Sequence, residues 1–215
     1  MPRVKKANPA PAYLVPLLTL VATIMLTGAI TGGFDYLYPL RFLTVAGAIW
    51  FFRKTYVRLE WTWSWLAVAN GIVVFFIWIA LEPTADRTVS PIVDGLAGLS
   101  PVWMVTWLVF RTLGSVVTVP LAEELAFRGY LIRRLVDEEF QHIPSTHFSW
   151  FGLIVTSLLF GLLHGRWVAG SLAGLLYGLA LYRRGQISDA IIAHSTTNAM
   201  IAGHVLLNES WWHWS

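Results

Sequence analysis

Val119-Pro120-Leu121-Ala122-Glu123-Glu124-Leu125-Ala126-Phe127-Arg128-Gly129-Tyr130-Leu131 closes an apolar run with two adjacent acids. A charged side chain at a bilayer centre costs about 2.5–3.5 kcal/mol even on lenient insertion scales, so a pair of them there points to function. On a helix, positions i and i+4 share a face, and a glutamate placed N-terminal to its basic partner is the favoured order. Glu124 therefore pairs with Arg128. Glu123 is rotated by about 100° from Glu124 at roughly 3.6 residues per turn. Its own i+4 neighbour is the apolar Phe127, so it has no local counter-charge. This divides the labour: Glu124 is structural and Glu123 is the candidate base. The alternative places both acids at headgroup level, in a solvated helix end.

Composition decides the surroundings of this stretch. Of 215 residues, 56% are hydrophobic and only 13% charged, and the mean hydropathy is +0.62. A soluble core does not need that, and the pattern predicts an all-α, multi-pass transmembrane helix bundle. The net charge of +3 is spread between apolar runs and forms no long basic patch, so nucleic acid is not an expected partner. The bilayer is. Cysteine is absent, which excludes disulfides, thiolate metal ligands and a cysteine nucleophile.

A spanning helix needs about 20 mostly apolar residues. Candidate spans fall at 12–31, 36–52, 63–81, from Pro101 through the two glutamates, and at 149–164, 168–182 and 187–207, about seven in all. Arg3, Lys5 and Lys6 ahead of the first run, with no small-x-small cleavage site after it, read as an uncleaved signal anchor. Residues 82–100 combine Pro, Gly and charge and read as the one sizeable loop, which sets a boundary between an N-terminal membrane region (1–98) and a C-terminal helix bundle (99–215). Pro120 is expected to kink the fourth helix one turn before Glu123, and Arg41 is placed to snorkel. Gly161, Gly170, Gly174, Gly178 and Gly203 suit close helix–helix approach.

Further polar groups lie on the late helices. Phe160 and His164 stand at i and i+4, as do His194 and Asn198. At about 1.5 Å of rise per residue, Glu123 lies roughly 15 Å from Arg133 and His194 roughly 15 Å from Arg184, so their depths match. Singly, His164 reads as a helix-end histidine and Asn198 as a tie between helices. Four such residues on three helices at overlapping depth make a site.

The ordered trio Glu123-Glu124-x-x-x-Arg128, Phe160-x-x-x-His164 and His194-x-x-x-Asn198 resembles the motif set of the type II CAAX prenyl protease and bacteriocin-processing (Abi) family of intramembrane glutamate endopeptidases. The resemblance covers about residues 100–205, and the compact form is similar to the CAAX-protease-related proteins found with bacterial exosortase systems. It implies a membrane-embedded peptidase, in a bacterial cytoplasmic membrane, acting on a membrane-associated or C-terminal peptide. It also implies that Glu123 and His164 activate a water, that His194 and Asn198 stabilise the oxyanion, and that Glu124, Arg128 and Phe160 support the site. No metal or other cofactor is implied. The same side chains permit a zinc hydrolase as an alternative, although no HExxH spacing is present. A non-catalytic membrane immunity or scaffolding protein is another alternative, and a transporter is disfavoured by the lack of inverted repeats.

Short cytoplasmic loops carry the excess of basic residues. With the N-terminus cytoplasmic, 11 of the 15 Lys and Arg fall on the inner side, leaving Arg41, Arg87, Arg111 and Arg166. Reporter fusions after Arg58 and after Arg184 are therefore expected to read as cytoplasmic and a fusion within 82–100 as external; a cytoplasmic signal from 82–100 would remove the seven-span arrangement.

Overall fold

The computed structural model describes residues 8–81 and 91–214. Arg3, Lys5, Lys6 and the 82–90 part of the expected loop lie outside the described residues. Seven long helices run through the rest: α1 (Ala10–Thr31), α2 (Tyr38–Phe51), α3 (Trp65–Ala80), α4 (Pro101–Arg134), α5 (Trp150–Leu163), α6 (Trp167–Arg184) and α7 (Ile187–Asn208). Among the described residues there is no strand.

Local signals set the helix ends. Gly32 at φ 66° stops α1, Ser64, Ser100 and Ser149 cap the starts of α3, α4 and α5 with their hydroxyls, and Gly185 at φ 70° turns the chain from α6 into α7. α1, α4 and α7 are long and apolar enough to cross a membrane by themselves. α3 and α5 are apolar but shorter, at 16 and 14 residues. The loop expected at 82–100 holds a short helix, Pro91–Ala97, within its described part.

Polarity is arranged inside out. Leu18, Met25, Leu26 and Ile30 of α1, Trp103 and Val105 of α4 and Leu162 of α5 face outward. Glu123, Glu124, Arg128, Asp189 and His194 are buried. An apolar exterior of this extent fits lipid and not water, and the chain is an integral membrane protein.

Close backbone approach sets the packing of α5 on α6, and of α3 on α7. A Cβ on Gly174 would stand 2.8 Å from Ser157 Cα, and one on Gly170 would stand 2.7 Å from Gly161 Cα. A Cβ on Gly71 of α3 would meet Thr196 Cβ of α7 at 2.7 Å, and Thr197 Oγ1 donates to Gly71 O at 2.8 Å. Gly203, expected to act likewise, faces open space. α3 also packs on α6, and α1 packs on α2 and on the glutamate-bearing part of α4, so the first three helices wrap the later ones. Arg41 does not extend outward as expected: it turns to Asp35, at 2.7 Å, because a carboxylate is within reach. At the opposite end of the bundle, fully buried Asp189 accepts from Arg183 at 3.1 Å and Arg184 at 2.8 Å, and Arg183 also reaches Ser64 at 2.6 Å.

Gly174→Ala is expected to force α5 and α6 apart and cost about 1–3 kcal/mol, as overpacking does. Gly203→Ala should be neutral. Thermal unfolding of the two variants in detergent compares them directly; equal melting temperatures would contradict the packing described.

Candidate active site

Pro120 shapes the helix that carries the acids. Its ring crowds the carbonyl one turn back and it offers no N–H, yet α4 does not break. It widens instead, into π-helical turns at Gly114–Thr118 and Leu125–Leu131 on either side of Val119–Glu124. Val119 N–H bonds Gly114 O, five residues back. The next bond in that register would need an N–H at 120, so Ser115 O is left without a backbone donor. Asn198 Nδ2 takes it at 2.8 Å. Mid-helix π turns are frequent at functional sites because they re-aim side chains without ending the helix.

Glu124 is the hub of the buried charges. Its Oε2 lies 3.2 Å from Arg128 Nε, its Oε1 lies 3.3 Å from Arg128 Nη1 and 2.9 Å from His194 Nδ1, and both charged side chains are wholly buried. Arg128 Nη2 donates to Gly174 O at 2.7 Å. The guanidinium lies over the Phe160 ring at 4.7 Å, and Phe160 in turn lies against His164 at 4.4 Å, which is what the i, i+4 spacing of those two provides.

Glu123 points elsewhere. Its Oε2 is buried, has no hydrogen-bond partner, and stands 3.5 Å from His164 Nε2 and 3.9 Å from His194 Nε2. These separations are too long for direct hydrogen bonds, and the adjoining cavity leaves room for a water that reaches Glu123 and His164 from the side. The ring orientations follow from their other nitrogens. His164 Nδ1 lies 2.9 Å from Phe160 O, and a carbonyl only accepts, so Nδ1 is the donor there. The carboxylate of Glu124 fixes His194 in the same way. Both histidines thus present Nε2 toward Glu123.

Two cavities of about 200 Å³ each meet at His164. One is lined by Glu123 and by Leu17, Leu20, Val21 and Ile24 of α1. The other is lined by Asn198, Ser115, Thr197 and Tyr177. The structure therefore gathers Glu123, His164 and His194 around one point, and Asn198 lines the second cavity, which shares His164. Among the described residues no group of three or more His, Asp or Glu side chains is arranged to hold a metal ion.

Residues 105–200 match the family model of the Rce1-like type II CAAX prenyl endopeptidases. Over that segment the chain is similar to this family. The match spans a little under half of the chain and includes Glu123, Glu124, Arg128, Phe160, His164, His194 and Asn198. The likeness indicates a membrane-embedded protease. Comparison with curated proteins and with solved structures gave no match.

Sequence reasoning missed Tyr177 in this cluster. Its ring stacks on His194 at 4.7 Å with planes 15° apart, and it lines the Asn198 cavity. An isolated aromatic on an apolar helix gives no signal, since core packing accounts for it equally well. The Gly174 carbonyl that accepts from Arg128 was also missed, because backbone acceptors have no sequence signature.

Glu124→Gln is expected to lower stability by about 3–5 kcal/mol, because it leaves Arg128 buried without a counter-charge. Glu124→Gln with Arg128→Met should recover part of the loss. Unfolding of the single and double variants in detergent measures both; a single variant as stable as the parent would show that the pair is dispensable.

Proposed function

We propose that the protein hydrolyses a peptide bond of a membrane-associated or C-terminal peptide, using a water held between Glu123 and His164. The observation that carries this is Glu123 Oε2, buried and without a hydrogen-bond partner, 3.5 Å from His164 Nε2. Glu123 removes a proton from the water, and the resulting hydroxide attacks the scissile carbonyl. The proton held by Glu123 then passes to the leaving amine. The C–N bond breaks as the tetrahedral intermediate collapses, and the two halves separate as a carboxylic acid, which ionises, and an amine.

The developing oxyanion is met by His194 and Asn198. Asn198 spends one N–H on Ser115 O and keeps the second for the substrate. His194 already donates from Nδ1 to Glu124, so donation from Nε2 requires the doubly protonated ring. Each oxyanion donor of this kind lowers the barrier by about 2.7–4 kcal/mol in other acyl-transfer sites. The bacterial cytoplasmic membrane is the proposed location, and residues 1–98 the membrane region that walls the catalytic bundle.

A zinc mechanism has one observation in its favour: two imidazole Nε2 atoms converge on a carboxylate while both Nδ1 atoms are held by acceptors, as metal-bound histidines often are. The proposed reaction runs without it. Protein purified in detergent and given a peptide library should cleave, and Glu123→Gln should abolish cleavage while the melting temperature stays near that of the parent. Asn198→Ala should lower turnover by about 10²–10³-fold with KM little changed. Chelators should have no effect. Cleavage by Glu123→Gln at the parental rate would end the proposal, and zinc lost and restored together with activity would establish the metal reading in its place.

A further inference from the structure

The end of the bundle where Asp189 collects Arg183 and Arg184 also carries a recess of about 390 Å³. Its wall comes from the first turn of α1 (Tyr13), the chain after α2 (Arg58 and Glu60), the last turn of α4 (Arg133) and the turn from α6 into α7 (Arg184 and Gln186). Helix ends meet there, so the recess lies at the level where an embedded bundle meets lipid headgroups.

Arg133 is held in place without being neutralised. Its Nε donates to Gly129 O at 2.8 Å, its Nη2 donates to the same oxygen, and the guanidinium lies 5.1 Å from the Phe140 ring and 5.7 Å from that of Tyr13. Among the described residues no carboxylate comes within ion-pairing distance of Arg133 or Arg58. The acids nearby are already engaged: Asp189 is shared by Arg183 at 3.1 Å and Arg184 at 2.8 Å, and Glu60 accepts from Gln186 Nε2 at 2.6 Å. Arg128 also borders the recess, but Glu124 cancels its charge. Four cations, Arg58, Arg133, Arg183 and Arg184, thus stand against two acids, Glu60 and Asp189, and two positive charges are left over. Tyr13 adds a second sign. It is only 8% exposed and lines the recess, yet its hydroxyl has no hydrogen-bond partner among the described residues. Buried polar groups are normally bonded, so a free donor beside surplus guanidinium charge points to an anion.

Shape and position narrow that anion. Guanidinium groups present forked donors that match the oxygens of a phosphate. Basic pockets between spanning helices, at headgroup level, suit anionic lipid headgroups, and the volume accommodates a phosphate with a glycerol-sized substituent.

We propose that this recess is a phosphate site that holds the headgroup of an anionic phospholipid. Arg58, Arg133 and the Tyr13 hydroxyl donate to the phosphate, and Arg184 adds charge from its place on Asp189. The assignment does not depend on the peptidase reading, because none of these side chains belongs to the Glu123 and His164 machinery. A soluble phosphate offers the same oxygens, and the test separates the two sources.

Melting temperature of the full-length protein in detergent is followed while short-chain phosphatidylglycerol, short-chain phosphatidylcholine or inorganic phosphate is added. Phosphatidylglycerol should raise it saturably, with an apparent affinity about 10-fold or more tighter than that of phosphatidylcholine. Arg58→Gln with Arg133→Gln should abolish the preference, and Tyr13→Phe should weaken binding about 3-fold or more. Arg53→Gln with Lys54→Gln, which removes two charges outside the recess, should leave it unchanged. Ligand-free melting identifies any variant that has not folded, and Tyr13→Phe, which deletes one oxygen, keeps the test decisive if the double arginine variant fails. Equal affinity for the two lipids, full retention in Tyr13→Phe, or equal loss in the Arg53 and Lys54 control would overturn the proposal. Stabilisation by inorganic phosphate without any by phosphatidylglycerol would overturn the lipid as occupant and leave the phosphate site standing.

Discussion

The buried carboxylate of Glu124 is the constraint on which the rest of this bundle depends. It holds Arg128 on its own helix and His194 on α7, while Arg128 reaches the backbone of α6 at Gly174. Three helices thus meet at one charge group out of reach of water. The Gly174 carbonyl and the faces of Phe160 and Tyr177 line the rest of the guanidinium, while Arg128 Nε and Glu124 Oε2 meet at 3.2 Å as an ion pair without a well-aligned hydrogen bond. With its neighbour paired to Arg128, Glu123 is left as the acid whose Oε2 faces both histidine Nε2 atoms.

Much of this was legible in the sequence because helix periodicity is rigid. The i, i+4 rule alone places Arg128 against Glu124 and Phe160 against His164, and matching rise along α4 and α7 places Glu123 level with His194. Apolar run lengths gave the seven helices to within a few residues at each end. The family resemblance and the family match fall on the same segment.

What escaped was decided by partners distant in the chain. Pro120 was expected to kink α4; that the helix also widens into π turns beside it, with Asn198 arriving from α7 to satisfy Ser115, left no mark in the sequence. Arg41 was expected to reach outward, and Asp35 intercepts it. Gly203 matches the other glycines in type but has no helix opposite it. Tyr177 stacks on a histidine 17 positions further along the chain. In each case a residue's role follows from what tertiary packing puts beside it, and local pattern holds no record of that.

The glycine contact between α5 and α6 has a mechanical consequence. Helices separated by a layer of long side chains can slide as those chains change rotamer, but Gly161 and Gly170, and Gly174 and Ser157, bring main chain against main chain. There is no lubricating layer. His164 and the Arg128 acceptor therefore travel as one rigid block, and the compliance needed to admit a peptide resides on the other wall of the Glu123 cavity, where α1 contributes only the aliphatic Leu17, Leu20, Val21 and Ile24. The catalytic half of the molecule behaves as an anvil and α1 as the part that yields.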